Sequence, residues 1–240
     1  MKFDSIDLAE DFGIQIGDGY IKRQTNGYTI VVSGHRSEDE HYLVSFVKPL
    51  KEKLYNVKVK VYEAQAAGTL ILKIDNKNLY KFYIASGLKE SPKINIEIPK
   101  FIIKSKKLQI ACLRGLMDTD GSLSFIKGDR KQHSYPTIHF ATKSRPLAKQ
   151  VCRILDNLKF TYFVQFDAKH YHSKANRYYI ETDIYIYGKE NLDRWMKIVG
   201  FHNIVQITRY LVYKKLGYCP PKTTLVQRLK ILKSSETGGI

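Results

Sequence analysis

The stretch Leu113-Arg114-Gly115-Leu116-Met117-Asp118-Thr119-Asp120-Gly121 decides how this chain folds. It reads as the last turns of a helix that runs from about Lys106 to Thr119 and stops at Asp-Gly. Ala111, Gly115 and Thr119 recur every fourth position, so one helix face carries only small side chains. Such a face lets a second helix approach near the short end of the ~8–10 Å interaxial range. Gly121 falls where helices commonly end in the left-handed conformation. Asp120 falls at the negative end of the helix dipole. A carboxylate is disfavoured there by roughly 0.3–1 kcal/mol, a conflict that a bound cation removes.

A second copy of the layout lies near the start of the chain. In Asp11-Phe12-Gly13-Ile14-Gln15-Ile16-Gly17-Asp18-Gly19, the residues Ala9, Gly13 and Gly17 repeat the small stripe and Asp18-Gly19 repeats the stop. The offset between the two copies is 102 positions throughout. Two small-faced helices in one chain are natural partners. Packed face to face, they bring Asp18 and Asp120 together. Neighbouring carboxylates repel and raise one another's pKa unless metal ions share the site.

At these residues the chain resembles the LAGLIDADG homing endonucleases of the single-chain, two-motif type. LRGLMDTDG, residues 113–121, matches the family motif at most positions. The first copy, within LAEDFGIQIGDGY at residues 8–20, departs at Asp11, where Leu is usual, and at Ile16, where the second copy has Asp118. It keeps Asp18. The resemblance implies an α+β fold, a pseudo-twofold duplication of an αββαββα unit. The motif helices pack at its centre and two antiparallel sheets form a DNA-binding saddle. The implied layout is an N-terminal half over 1–90, a linker over 91–105, a C-terminal half over 106–220 and a tail over 221–240.

Composition points the same way. The 240 residues include 40 Lys and Arg against 23 acidic residues, a formal net charge of +17. A bias that large over a chain with 43% hydrophobic residues points to a polyanionic partner, nucleic acid first. An acidic membrane surface is the competitor, but no basic amphipathic helix stands out. Cys112, Cys152 and Cys219 are odd in number and lack CxxC spacing, so neither a disulfide framework nor a zinc site is suggested, and a reducing cytosol fits. There is no signal peptide and no apolar run long enough to span a membrane. The expected location is the cytoplasm, nucleoid-associated, or an organelle in a eukaryotic host.

Taken in order, Asp4 or Ser5 caps a first helix that reaches about Gly17. Tyr20–Gln24 and Tyr28–Ser33 form a hairpin around a two-residue Asn26-Gly27 turn. Glu38 to Tyr55 reads as an amphipathic helix with Leu43, Phe46, Val47, Leu50 and Leu54 on one side. Val57, Val59 and Val61 then alternate with Lys58, Lys60 and Tyr62, a strand with one apolar and one basic, aromatic face. Leu70, Leu72 and Ile74 return beside it, and a short helix over Lys77–Ser86 ends at Gly87. The second half repeats the plan with strands at 122–127, 137–142, 160–169 and 178–187 and helices at 145–156 and 189–199. Matched blocks support duplication: Thr29-Ile30 with His35 against Thr137-Ile138 with Lys143, Leu54-Tyr55-Asn56-Val57 against Leu155-Asp156-Asn157-Leu158, and the 78–87 segment against 191–200. Beyond that, helices are expected around 207–216 and 225–232, separated by Pro220-Pro221, and a frayed end over 234–240.

Each sheet must bury one face on its helices, leaving the other free for the major groove of duplex DNA. Strict alternation turns Tyr20, Lys22, Gln24, Lys58, Lys60, Tyr62, Gln165, Lys169, Tyr185 and Tyr187 outward, with Glu181 and Asp183 as acceptors for cytosine amino groups. Lys127, Arg130 and Lys131 with His133, and Lys174 with Arg177, supply basic loops that set register on phosphates. His133, His139, His170 and His172 show no consistent metal spacing.

Hydrolysing a phosphodiester needs a polarised phosphate, an activated water and a stabilised leaving oxygen, all of which carboxylate-held metal ions supply. Hard oxygen donors with open water positions favour Mg²⁺, with Mn²⁺ an acceptable substitute. The resemblance implies that Asp18 and Asp120 are the metal ligands, one per DNA strand, helped by the backbone carbonyls of Gly17 and Thr119. It also implies a basic catalytic residue before each second helix, here Lys143 after Thr142 and, in the first half, His35 after Gly34. Asp118 reads as a helix-cap residue rather than a ligand, because its counterpart is Ile16.

The expected activity is that of a site-specific, Mg²⁺-dependent endonuclease. It acts as a monomer on double-stranded DNA and cuts both strands of a long, nearly non-palindromic site. The alternative is an intron RNA maturase or a non-cleaving DNA-binding protein of the same fold; the retention of both Asp18 and Asp120 argues against a purely binding role and leaves a bifunctional maturase open. An intein is disfavoured: Met1 is no splice nucleophile, and His202-Asn203 is followed by Ile204.

Overall fold

The structure, a computed structural model, describes residues 5–25, 27–64, 68–93 and 95–234, with the backbone alone at Lys174. The expected turn residue Asn26, the segment 65–67 and the end over 235–240 lie outside the described residues. Two units of like order follow one another. The first comprises α1 (Ile6–Ile16), β1 (Gly19–Gln24), β2 (Gly27–His35), α2 (Arg36–Tyr42) continuing into α3 (Lys48–Tyr55), β3 (Lys60–Ala64), β4 (Thr69–Asp75) and α4 (Lys77–Ala85). A short α5 (Lys100–Ile103), which the sequence did not signal, precedes the second unit. That unit comprises α6 (Lys106–Thr119), β5 (Gly121–Ile126), β6 (Tyr135–Thr142), α7 (Arg145–Asn157), β7 (Phe163–His172), β8 (Arg177–Tyr187) and α8 (Lys189–Ile198). Then come α9 (Ile204–Leu216) and α10 (Leu225–Lys233). Each unit builds one antiparallel four-stranded sheet with the same strand order, β1-β2-β4-β3 and β5-β6-β8-β7.

Helix starts follow local chemistry. Ser5, Asn76 and Ser144 accept the backbone N–H three residues on, at 3.3, 2.9 and 3.3 Å, which satisfies a donor the helix leaves orphaned. Thr224 and Gln227 form a reciprocal capping box on α10. The helical run from Arg36 to Tyr55 widens into π geometry over Leu43–Val47, just before Pro49. Proline has no N–H to return to the preceding turn, and the wider turn accommodates it. Asn56 closes the run in the left-handed conformation at φ 50°.

The centre of the molecule is the contact of α1 with α6. A Cβ on Gly13 would sit 2.1 Å from the Cys112 carbonyl oxygen, and one on Gly115 would sit 2.3 Å from the Glu10 carbonyl oxygen. At these two positions backbone touches backbone, and no larger residue fits. Ala9 and Ala111 complete the stripe and are buried. Outside it, the sheets cover the helices with Ile21, Ile30, Val32, Leu70, Leu72 and Ile74 on one side and Leu123, Phe125, Ile138, Phe140, Ile184 and Ile186 on the other, all buried.

Several expectations are corrected. Gln24 pairs with Gly27, so Gly27 opens the return strand rather than closing the turn. β3 begins at Lys60 rather than Val57, and Val61 is 42% exposed. Val61 shares the face of its buried partner Leu72 but is only partly covered on this edge strand, whereas Val59, just before the strand, is buried. The left-handed residue after α7 is Lys159 at φ 62°, two places beyond Asn157, so the Asn56 and Asn157 blocks do not occupy equivalent positions.

Asp11, the departure from the usual motif, is fully buried on α1. Its carboxylate receives Lys51 Nζ at 2.6 Å and the hydroxyls of Tyr55 and Tyr83 at 2.5 Å each. Lys51 also donates to Gln15 Oε1 at 3.0 Å, and Gln15 Nε2 reaches the Val31 carbonyl at 3.2 Å. A buried charge is tolerated when paired and hydrogen-bonded, and removing one partner strands the other. Replacing Asp11 by Ala is therefore expected to cost about 3–5 kcal/mol in chemical denaturation, whereas the paired change Asp11→Leu with Lys51→Met should cost less than either single change.

Candidate active site and nucleic-acid interface

Both motif helices end at the same place. α1 stops with Gly17, whose N–H returns to the Gly13 carbonyl, and α6 stops with Asp120, whose N–H returns to Leu116. A Cβ on Gly17 would lie 1.9 Å from Thr119 Oγ1 and 3.6 Å from the Asp120 carboxyl carbon. Asp120 therefore lies against the last turn of α1, within the electrostatic field of Asp18. Thr119 turns its hydroxyl back onto the Gly115 and Leu116 carbonyls at 3.0 and 2.9 Å and packs into the space that a side chain on Gly17 would need.

Sequence reasoning missed the cation at this point. Lys93, from the segment between α4 and α5, donates to the Ile16 carbonyl at 2.7 Å and to the Gly17 carbonyl. Its charge acts on both Asp18 and Asp120, and burial holds its own pKa below the usual lysine value. Nothing in a Pro-containing linker marks one lysine over its neighbours, so no pattern could have found it. Asp39 was missed too. It accepts the His35 N–H at 2.8 Å and adds negative charge near Asp18.

Burial, then the charges of Asp120 and Asp39, push the Asp18 carboxyl up to about 7 against the opposing pull of Lys93. Asp120 sits at the exposed rim, but the protein crowded round its carboxyl raises it to about 6, again with Lys93 opposing. Paired carboxylates that resist ionising together, with a backbone carbonyl already holding a cation, form an all-oxygen donor set that fits a hard divalent ion. The residues present thus fit the metal that the resemblance implies.

Lys143 follows β6 and shares a recess with Asp120, Lys93, Thr142 and Glu181, its ammonium 5.3 Å from the Tyr179 ring. His35 ends β2 at the corresponding place. It is exposed, with Ser37 Oγ 3.0 Å from its Nδ1. Asp118 is buried and accepts the His202 and Asn203 N–H groups at 2.8 and 3.1 Å, tying α6 to the start of α9. Burial nevertheless pushes its carboxyl up to about 7.

On the first sheet, the pairings Tyr20–Val31, Lys22–Thr29, Lys60–Lys73 and Tyr62–Ile71 set Tyr20, Lys22, Gln24, Lys60 and Tyr62 on one open face, with Lys58 exposed just before β3. Lys73 belongs to that face as well. On the second sheet, Gln165 and Tyr185 share the open face, where Tyr185 and Tyr187 stack at 5.6 Å. Lys127, Arg130 and Lys131 are exposed in the β5–β6 loop, Arg130 lying 4.4 Å from the Tyr135 ring, and Arg177 is exposed at the tip of β8. Two expectations change. A bulge between Gln165 and Ala168 inverts the alternation, so Lys169 lies opposite Ile180 on the other face. Asp183 has the expected parity but is buried between His139 and His170, so it offers nothing to a base.

The raised carboxyls fix a pH response. Asp18 rises from 3.8 to about 7 and Asp120 to about 6, so the folded state holds these protons more tightly than the unfolded chain. That contribution is complete below pH 3.8 and is lost as pH climbs through 6 and 7. The metal-free protein should lose thermal stability over this window. The Asp18→Asn, Asp120→Asn variant should show a flatter melting-temperature profile, with the share due to Asp118 remaining.

Residues 107–200 match the model of the LAGLIDADG-like domain. No curated protein sequence matches the chain. Among solved structures, the chain is similar to I-DmoI in complex with DNA and Mn at 17% identity and TM-score 0.56, covering 83% of this chain and 98% of that one. It is similar to the meganuclease I-SmaMI bound to uncleaveable DNA at 8% identity and TM-score 0.55, covering 87% and 89%. It is similar also to the homing endonuclease I-WcaI bound to its DNA recognition sequence at 12% identity and TM-score 0.52, covering 83% and 82%. The second unit thus matches the LAGLIDADG-like domain model over residues 107–200, and the whole chain shares the duplicated α+β fold of these solved structures.

Proposed function

We propose that this chain is a monomeric endonuclease that cuts both strands of a long duplex DNA site using divalent metal ions. The observation that carries the reading is the meeting of Asp18 and Asp120 at the joined ends of α1 and α6, each raising its pKa in a site that already holds an ammonium. A purely binding protein has no use for that arrangement, which also weighs against a maturase role alone. The solved homing endonucleases are described with target DNA and with Mn, Ca or Mg, and their fold matches over most of both chains.

Asp18 and Asp120 would hold the ions, with the Gly17 and Thr119 carbonyls as further donors. Bound there, divalent ions polarise the scissile phosphate, lower the pKa of an attacking water and stabilise the leaving oxygen. Lys143 brings a positive charge into the recess beside Asp120, where a phosphate oxygen would pass. His35, at the matching place in the first unit, carries charge only when protonated, so the two strands meet unequal partners. Lys93 tempers the repulsion between the carboxylates and keeps the site ordered. The open sheet faces, with Tyr20, Lys22, Gln24, Lys60 and Tyr62 on one side and Gln165 and Tyr185 on the other, align the duplex. Because the two faces differ in every one of these residues, the half-sites should differ as well. Among the described residues no helix is long and apolar enough to cross a membrane.

Selection of cut sites from a random duplex library in Mg²⁺ identifies the target. On it, Asp18→Asn and Asp120→Asn singly should each nick only one strand. Together they should lower double-strand cleavage by at least about 10²–10³-fold while leaving DNA affinity intact. Full cutting by the double variant would sink the proposal. In binding titrations across salt, replacing Lys22 and Lys60 by Ala should reduce the slope of log K against log salt by ~0.9 per lost phosphate contact.

A further inference from the structure

We propose that His170, Glu181 and Asp183 form a second metal site, one for a late first-row transition ion, Zn²⁺ by preference, on the open face of the second sheet, with His139 holding Asp183 in place beside them. The four residues come from three adjacent strands, β6, β7 and β8. Asp183 Oδ1 lies 2.8 Å from His139 Nε2, and Asp183 Oδ2 lies 2.7 Å from His170 Nε2. Glu181 Oε1 is 3.7 Å from the same His170 nitrogen. One donor atom from each of His170, Glu181 and Asp183 lies within 4.8 Å of the other two, close enough for a single ion with bonds of ~2.0–2.2 Å whose remaining position is open to solvent.

The register shows why the cluster exists. Gln165 lies opposite Asp183, and with unbroken alternation Lys169 would share their face. The bulge, in which Asp167 adopts φ 57°, shifts the phase so that Ala168 lies opposite Glu181 and His170 opposite Tyr179. The chain thereby removes a lysine from two carboxylates and supplies an imidazole. Bulges commonly re-aim a side chain in this way. Both rings are then held in place, His139 stacked on Tyr185 at 4.4 Å and His170 on Tyr179 at 5.5 Å. Asp183 is buried, while about a third of each imidazole is open to solvent, so an ion has an entry path.

Donor chemistry separates this site from the others. Asp18 and Asp120 offer oxygen alone and suit Mg²⁺, whereas an imidazole beside two carboxylates suits Zn²⁺. A third cluster, Glu10 with Asp118 and His202, also brings ligand atoms together. There, however, Arg114 occupies the Glu10 carboxylate at 2.6 and 3.1 Å, and two backbone N–H groups occupy Asp118, so its donors are already spent. At the proposed site, the ion takes the place of the proton between His170 Nε2 and Asp183. That proton moves to Nδ1 of the ring or, from a doubly protonated ring, to solvent.

The test is titration of the full metal-free chain with Co²⁺, followed by Zn²⁺, in excess Mg²⁺. The expected result is one equivalent of Co²⁺ with the intense visible absorption of a four-coordinate centre, displaced by one equivalent of Zn²⁺, and a higher melting temperature. His170→Gln should weaken Zn²⁺ binding by more than roughly 100-fold, and His139→Gln by the ~10–100-fold that loss of an outer partner costs. The Asp18→Asn, Asp120→Asn variant should bind Zn²⁺ as tightly as the parent. Absence of uptake overturns the proposal, as does tight uptake that survives His170→Gln or disappears with the two aspartates. X-ray absorption on the native chain with one equivalent of Zn²⁺ decides the matter without variants. A shell with one imidazole nitrogen among oxygens supports the site, and one of oxygen alone or containing sulfur overturns it.

Discussion

The approach of α1 to α6 at Gly13 and Gly115 sets every other distance in the molecule. With no Cβ at either position, each glycine sits against a carbonyl oxygen of the opposite helix, and the helix axes come as close as backbone allows. That separation delivers the two helix ends to one spot and fixes how far Asp18 stands from Asp120. Both carboxylates sit where a helix dipole disfavours negative charge, and both lose solvation as well. The resulting conflict is local and electrostatic, and the surrounding packing overrides it. Lys93 relieves part of it from a segment belonging to neither helix. The site is thus held in an arrangement its own charges oppose, which is the state in which an added cation gains most.

Buried ions recur around this axis, each built differently. Asp11 with Lys51 and two tyrosine hydroxyls sits wholly within the first unit. Glu10 with Arg114 and His202 joins the two units. Burial would raise the Glu10 carboxyl, but hydrogen bonds from His202 and Arg114 outweigh it and hold the group below its ordinary value. Such pairs add little net stability compared with apolar packing, yet each permits one register only. Arg228 plays a related part further out. It is buried on α10 and bridges Thr208 of α9 to Glu38 of α2, so the segment after Pro221 is fastened to the first unit.

Much of this was legible in the residues, and the exceptions share a cause. The limits of α6, the hairpin plan and the pairing of the motif helices follow from periodicity and Asp-Gly stops, which are local signals. Asp11 looked like a defect in the motif because its partners Lys51 and Tyr83 lie far along the chain. Lys169 was assigned to the wrong face because a bulge leaves no composition signature, and one inserted residue inverts every side chain beyond it. Asp183 looked exposed because alternation gives parity and is silent about neighbours on adjacent strands. Lys93, Asp39 and the His139–Asp183–His170 cluster depend on which strands and segments meet, information that spacing along the sequence does not carry.

The Glu10–Arg114 bond has a consequence for how such a molecule could be taken apart. With the motif offset of 102, the counterpart of Arg114 in the first unit is Phe12, and the counterpart of Glu10 in the second is Cys112. Were two copies of the first unit to face each other across the glycine seam, each Glu10 would meet a phenyl ring and remain an unanswered buried charge, a penalty of about 3–5 kcal/mol on either side. Two copies of the second would set each guanidinium against a thiol. The ancestral twofold, still visible in strand order, can no longer be restored by self-association. Any hybrid assembled from halves of different proteins must carry both members of this acid–base pair or leave one of them stranded at its core.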